Sequence, residues 1–217
     1  MRHHHLAAFL SINPQEFAGI LLDLDDTLYS YQPAHEAGQA AMLAFLAKQT
    51  GASEIEVSQQ LSASRQLVHH RLHGQAASHS RLLYAQGAIE KLTGKSNPAL
   101  VLEAEEIYWA TFLDTAIVFE EAIVFLEKCK QSGVPVCLIT DLTAQIQLRK
   151  LTHWNLAPYI SFVVSSEEAG VEKPHPHIFE LALAKLKILP QQALMIGDSE
   201  KKDIAGAKVL GISTQQI

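Results

Sequence analysis

A short apolar run, Ile20-Leu21-Leu22, stands far ahead of every other strand-like segment in this chain, and that isolation limits the fold more than any other feature. One strand cannot make a sheet, so it must pair with strands much later in the sequence. Those follow Phe119. Phe119 to Gln131 has the pattern of an amphipathic helix stopped by Ser132-Gly133, and Val134 to Ile139 is a short apolar strand. A helix from Gln145 to Trp154 and a strand from Ile160 to Val164 come next, then a helix from Pro176 to Lys187 and a strand from Ala193 to Ile196. A helix from Asp203 to Leu210 and a strand from Gly211 to Thr214 end the series. Strands alternating with helices read as parallel βαβ units.

The intervening block has helical spacing throughout. Ala37, Ala40, Ala41, Leu43 and Ala44 recur in a helix ended by Gly51; Leu61 to Leu72 and Leu82 to Leu92 follow, and Asn97-Pro98 opens a fourth helix to about Phe112. The expected organisation is an α/β core of parallel strands from residues 1–30 and 117–217, with a four-helix insertion at residues 31–116.

A chain of 217 residues, 48% hydrophobic and 18% charged, is globular and can bury a substantial core. Its net charge of −6 argues against nucleic acid, which needs a concentrated basic face. No stretch approaches the roughly 20 apolar residues of a membrane span, so no membrane partner is expected. Cys129 and Cys137 form neither a CxxC pair nor a disulfide framework, which fits a reducing interior. The segment Met1 to Leu10 has a faint signal-peptide look, but its apolar run is short and a polar segment, Ser11 to Glu16, leads straight to the first strand. It reads as a soluble tail of a cytoplasmic protein. Oligomeric state leaves no mark here.

The first strand ends in Asp23-Leu24-Asp25-Asp26-Thr27. The carboxyl-terminal tip of a parallel strand is where open α/β sheets bind ligands. Crowded carboxylates repel unless a cation or a proton relieves them. The cluster therefore asks for a metal and offers a carboxylate nucleophile beside a carboxylic acid; a solvated acidic turn is the plain alternative for this segment alone. Further groups sit at later strand ends: Thr140 in Leu138-Ile139-Thr140-Asp141, Lys173 in Glu172-Lys173-Pro174-His175-Pro176, and Asp198 in Ile196-Gly197-Asp198-Ser199, with Asp203 beyond it. Singly, Thr140 could cap a helix, Lys173 could be solvated and Asp198 could form a turn. Together they supply a nucleophile, an acid, a hydroxyl donor, a fixed cation and metal ligands, the parts phosphoryl transfer requires.

In order and spacing these segments resemble the four motifs of the haloacid dehalogenase superfamily of hydrolases, over nearly the whole chain. A receiver domain also uses clustered acids, a Thr and a Lys, but its phosphorylated Asp lies on a later strand than its acid pair. The resemblance implies a Rossmann-like core with an inserted all-helical cap. It also implies a phosphatase for a small phosphorylated metabolite such as a sugar phosphate, phosphoglycolate or a nucleoside monophosphate. Asp23 would be the nucleophile that forms an aspartyl-phosphate, and Asp25 the acid, then base, which calls for an upward-shifted Asp25 pKa. Asp23, Asp198 and the Asp25 backbone carbonyl would hold Mg²⁺. Thr140 and Lys173 would bind phosphoryl oxygens, Asp203 would orient Lys173 or a metal-bound water, and Thr27 would shape the turn. Dehalogenating relatives lack an Asp two residues after the nucleophile, so Asp25 speaks against dehalogenation. A phosphomutase using the same motifs, and a weakly active phospho-ligand-binding regulator, are the alternatives.

Asp141 stands where many relatives carry Asn, adding negative charge near the phosphoryl pocket unless it turns away; it is also a candidate substrate contact. Glu120-Glu121 replaces a frequent Pro-Gly. In the cap, a polar turn from Gly74 to Ser80 leads into Arg81, which with His79 is a candidate for gripping a second anionic group on the substrate. A solvated arginine at a helix start is the alternative. His69 and His73, four apart, suggest a metal pair without an evident third ligand. His175 and His177 read as solvent-facing.

Overall fold

The computed structural model describes residues 2–217, with side chains from Ala7 onward. The chain divides into two compact units, one built from the residues up to Ser30 together with Ile117–Ile217, the other from Tyr31–Ala116.

The first unit begins with helix α1 (Arg2–Ser11) where a tail was expected. The helix is held by Phe9, fully buried with its ring 5.5 Å from that of Phe125, and by Lys128 Nζ, which donates to the Leu10 carbonyl at 3.1 Å. Burying one such aromatic stabilises by about 1.5–3 kcal/mol.

The sheet contains β1 (Gly19–Leu22), β2 (Val136–Thr140), β3 (Phe162–Ser165), β4 (Ala193–Gly197) and β5 (Ser213–Gln216). All neighbours are parallel, in the order β3-β2-β1-β4-β5. The isolated first strand is thus the central one, with Leu22 opposite Leu138 on one side and Ile196 on the other. Every β1 residue is buried, which is why its run is unbroken in apolar character. The strand order reverses across β1, and that reversal opens a crevice at the carboxyl ends of the strands.

Around the sheet lie α6 (Glu120–Gln131), α7 (Ala144–His153), α8 (Ser166–Ala169), α9 (Pro176–Leu186) and α10 (Ala205–Val209), α2 to α5 belonging to the other unit. Ile178, Phe179, Ala182, Leu183 and Leu186 form one stripe of α9 and share a core cluster with Leu21, Cys137, Ile139, Val164 and Met195. Glu120 and Glu121 occupy the first turn of α6 and Lys128 and Lys130 its last, complementing the helix dipole. That gives the acid pair a local reason. The helix expected from Asp203 starts instead as a π-turn over Glu200–Ile204 before passing into α10.

The second unit is helical: α2 (Tyr31–Thr50), α3 (Glu54–Arg71), α4 (Arg81–Thr93) and α5 (Pro98–Thr115). Tyr84, Ile89, Tyr108, Trp109 and Phe112 are buried in it. Helix α3 starts well before the apolar spacing at Leu61, because Ser53 and Glu56 form a capping box. It also stops at Arg71, so the His69–His73 pairing on one helix face does not form. His69 Nε2 lies 2.9 Å from the Tyr84 hydroxyl instead, and His73 is exposed.

Helix α2 meets α5 closely at Gly38, where a Cβ would stand 2.7 Å from the Tyr108 backbone oxygen. Gly38→Ala should therefore destabilise this unit. Overpacking costs about 1–3 kcal/mol, against up to about 1 kcal/mol of helix propensity returned. A lowered urea midpoint checks it; an unchanged or raised one would mean the helices part at no cost. Among the described residues no helix is long and apolar enough to cross a membrane.

Candidate active site

The carboxyl ends of β1, β2 and β4 carry the acids and the hydroxyl. Asp23 continues the β1 ladder, its N–H donating to the Ile196 carbonyl at 2.9 Å. Asp26, at φ 62°, turns the chain out of the extended conformation. Thr27 then reaches back: its hydroxyl donates to Asp23 Oδ2 at 2.8 Å and accepts from the Asp198 N–H at 3.0 Å. Thr27 therefore fixes the nucleophile candidate and ties the loop after β1 to the loop after β4.

Lys173 is 4% exposed. Its Nζ donates to Asp23 Oδ1 at 2.5 Å, Asp203 Oδ1 at 2.7 Å and the Ile139 carbonyl at 3.2 Å. Asp203 in turn accepts from the Ser199 N–H at 3.0 Å. The π-turn sets this geometry: Ile204 N–H reaches back five residues to the Ser199 carbonyl at 3.2 Å, and the loosened turn places Asp203 over the end of β4. Gly197 is required there, since a Cβ would fall 2.4 Å from Asp203 Oδ2.

Asp23, Asp198 and Asp203 each place a carboxylate oxygen within 4.8 Å of the other two. Three acids face one ammonium, and the strain shows in their protonation. Burial pushes Asp23 up to about 8; Lys173 opposes this and Asp203 adds to it. Burial, then Asp203 and Asp26, raise Asp198 to about 6. For Lys173 burial works against the charge, but Asp23, Asp203 and Asp141 hold it protonated above the ordinary lysine range. A buried group of hard oxygen donors with surplus negative charge suits a divalent cation such as Mg²⁺.

Asp25 departs from expectation. Its pKa lies below the usual carboxylate value, not above it. Burial acts to raise it, but the charge and hydrogen bond of Lys150, with further bonds from Tyr29 and Gln147, outweigh burial. Lys150 is fully buried and holds Asp25 Oδ1 at 2.6 Å. Gln147 Nε2 lies 3.4 Å from Asp25 Oδ2, 2.7 Å from Thr140 Oγ1 and 3.0 Å from the Asp141 carbonyl. Sequence reasoning missed Tyr29, Gln147 and Lys150. A signal existed for two of them: Gln147 and Lys150, three apart, share the buried face of α7 with Ile146 and Leu151. A lysine on an apolar helix stripe asks for an acid partner.

Asp141 is turned to structure. Its Oδ1 accepts from the Lys173 N–H at 2.9 Å and its Oδ2 pairs with Lys202 at 2.8 Å, so the side chain is held by these two partners while its charge still helps to keep Lys173 protonated. His175 is exposed and accepts from the His177 N–H at 3.2 Å, capping α9. In the helical unit Arg81 is not solvated: it is 7% exposed and donates to the His79 carbonyl and to the hydroxyls of Tyr31 and Tyr108.

A profile of haloacid dehalogenase-like hydrolases matches residues 17–211. A ribulose-1,5-bisphosphate 5-phosphatase of Halopiger xanaduensis is 38% identical over 197 residues, 90% of this chain and 82% of that protein. A glyceraldehyde 3-phosphate phosphatase of Methanopyrus kandleri is 32% identical over 201 residues, 91% of this chain and 82% of the other. Among solved structures, a 2-haloacid dehalogenase from Pseudomonas syringae superposes with a TM-score of 0.76 at 26% identity, covering 90% of this chain and 84% of its own. A HAD phosphatase from Thermococcus onnurineus shares the fold, with a TM-score of 0.69 at 21% identity over 92% of this chain and 85% of that one. The chain belongs to the haloacid dehalogenase-like hydrolases. Within that family it is a phosphoric monoester hydrolase, as its phosphatase relatives indicate.

Proposed function

We propose that this enzyme hydrolyses a small phosphorylated metabolite through an aspartyl-phosphate on Asp23, with Mg²⁺, and that sugar phosphates, ribulose 1,5-bisphosphate foremost, lead the candidates. The observation that carries the chemistry is the buried constellation of Asp23, Lys173, Asp198 and Asp203 at the sheet's switch point. The similarity to the ribulose-1,5-bisphosphate 5-phosphatase carries the substrate class.

An oxygen of Asp23 attacks phosphorus, the bond to the leaving oxygen breaks, and that oxygen takes a proton from Asp25. Asp25 then takes a proton from water as the water attacks the phosphorus of the aspartyl-phosphate, which frees Asp23 and inorganic phosphate. Lys173 and Thr140 bind the phosphoryl oxygens, the ammonium offsetting charge as it develops. Asp23, Asp198 and the Asp25 backbone carbonyl would hold Mg²⁺, which supplies positive charge to the same oxygens. Lys150 holds Asp25 ionised, the form needed for the second half. The first half needs its proton, and an approaching phosphoryl dianion raises a neighbouring carboxyl's pKa. The helical unit is the cap that selects the leaving group, and the free, buried thiols of Cys129 and Cys137 suit a cytoplasmic home.

The test is phosphate release from a panel of ribulose 1,5-bisphosphate, glyceraldehyde 3-phosphate, phosphoglycolate and a nucleoside monophosphate, with EDTA and Asp23→Asn controls. Metal-dependent release that vanishes in the variant supports the reading. No release from folded protein overturns it, and transfer within a sugar phosphate instead of release would identify a mutase.

Metal uptake should also displace protons. At pH 7 the metal-free Asp23, with its pKa at about 8, is mostly protonated, and only the carboxylate can ligate. Calorimetric Mg²⁺ titrations in buffers of different ionisation enthalpy should show about one proton released, with affinity rising about tenfold per pH unit between about pH 6 and 8. A pH-independent affinity would place the metal elsewhere.

A further inference from the structure

Gln147 is fully buried on α7, and its amide oxygen meets no hydrogen-bond donor among the described residues. Buried orphans of this kind are rare and costly, so each asks for a reason. Its nitrogen, by contrast, is crowded. Three acceptors surround Nε2: Thr140 Oγ1 at 2.7 Å, the Asp141 carbonyl at 3.0 Å and Asp25 Oδ2 at 3.4 Å. Turning the amide over would set its oxygen against a carbonyl and a carboxylate, so this set of acceptors fixes which end is nitrogen. An amide nitrogen can only donate. The Thr140 oxygen must therefore accept, and its hydrogen cannot point at Gln147. Thr140 is itself fully buried at the tip of β2, and its hydroxyl makes no other bond among the described residues.

We propose that Gln147 is a positioning residue for phosphoryl transfer: by donating to Thr140 it turns that hydroxyl's hydrogen toward the phosphoryl group. This deepens the phosphatase reading above and rests on it. A free threonine hydroxyl rotates. Without the amide, the Asp141 carbonyl and Asp25 Oδ2, which the amide now faces, would compete for its hydrogen. Orienting the donor in advance removes that competition, and a donor already aimed is what stabilises charge as it develops in a transition state. A purely structural role for Gln147 would be to satisfy the Asp141 carbonyl. That role leaves the shortest of its three bonds, the one to Thr140, without a purpose.

The experiment is a double-mutant cycle read as kcat/KM for p-nitrophenyl phosphate with Mg²⁺. The leaving group of this substrate needs no acid, so Asp25 does not enter the step that kcat/KM reports. Gln147→Met, which keeps the length and loses the amide, should lower kcat/KM about tenfold or more, the scale of one hydrogen bond to a charged group. Gln147→Asn, whose amide is one carbon short of Thr140, should do the same and stands in if the Met variant fails to fold. In a Thr140→Val background, with no hydroxyl to turn, the loss should shrink to less than about twofold. Gln145→Met, an exposed amide on the same helix, should change nothing. Melting curves show which variants are folded. No loss from Gln147→Met and Gln147→Asn, or an equal loss with and without the Thr140 hydroxyl, overturns the inference while phosphatase activity stands. Should the wild type hydrolyse no phosphomonoester, p-nitrophenyl phosphate included, the phosphatase reading fails instead. Calorimetric titration of inorganic phosphate with Mg²⁺ into the four proteins of the cycle then decides: affinity lost with the amide only where Thr140 is present supports the orienting role, and any other pattern overturns it.

Discussion

Asp23→Asn should abolish phosphate release, lowering kcat by on the order of 10⁴-fold or more, the scale of losing a covalent nucleophile. The amide has the shape of the carboxylate, so Thr27 and Lys173 keep a neighbour of the same size. It is a poor nucleophile and a weaker metal ligand. The fold should not suffer. In the metal-free wild type the folded pKa of Asp23 is raised from 3.8 to about 8. Its contribution is therefore fully present below the unfolded value and is lost as pH rises toward the folded one. Asn removes a carboxylate from a group of three facing one lysine. Metal-free Asp23→Asn should melt above the metal-free wild type at pH 8, with the gap narrowing toward pH 5. Added Mg²⁺ should raise the wild-type midpoint far more than that of the variant. A variant that is both inactive and less stable at pH 8 would mean that Asp23 serves the fold, and the phosphatase reading would lose its nucleophile.

What the sequence revealed was local. β1 was legible because four buried residues on a central parallel strand must all be apolar, and Asp23 because the acids crowd where that run breaks. Thr140, Lys173, Asp198 and Asp203 were legible as groups at strand ends, and the structure brings Lys173 and three of the acids into contact distance. What was not legible depends on partners remote in sequence or on backbone detail. The Asp25 pKa was misjudged because Lys150, which sets it, lies 125 residues away on a helix whose buried face had not been read for polar residues. Helix α1 was taken for a tail because its few apolar residues acquire meaning only against Phe125. The π-turn that aims Asp203 leaves no compositional trace. Arg81 looked like a surface residue because the tyrosines that enclose it come from α2 and α5.

Lys150→Met should separate the two roles of Asp25. Met matches the length of the lysine stem and preserves packing beside Tyr29 and Trp154, whose rings lie 4.6 Å apart. Without the ammonium, burial acts on Asp25 with only the Tyr29 and Gln147 bonds opposing it, and the pKa rises. In the wild type the depressed pKa contributes stability that is present above the unfolded value and lost as pH falls through the folded one. The variant forfeits that contribution, so its deficit should be largest at neutral pH, should shrink as pH falls, and should close only below the ordinary carboxylate value of 3.8, as pH passes through the depressed folded pKa. Its size should fall below the about 3–5 kcal/mol of a fully buried broken pair, because 25% of the Asp25 side chain is exposed. Catalysis should suffer in the half that needs a base. With p-nitrophenyl phosphate, whose leaving group needs no acid, the variant should show a burst of nitrophenolate equal to enzyme. Turnover should then be slower by about 10²–10⁴-fold, the range for lost general-base assistance. The acid limb of its pH–rate profile should move to higher pH. Lost stability with no burst and an unmoved limb would leave Lys150 a structural partner only, and the ion pair would then say nothing about how Asp25 handles its proton.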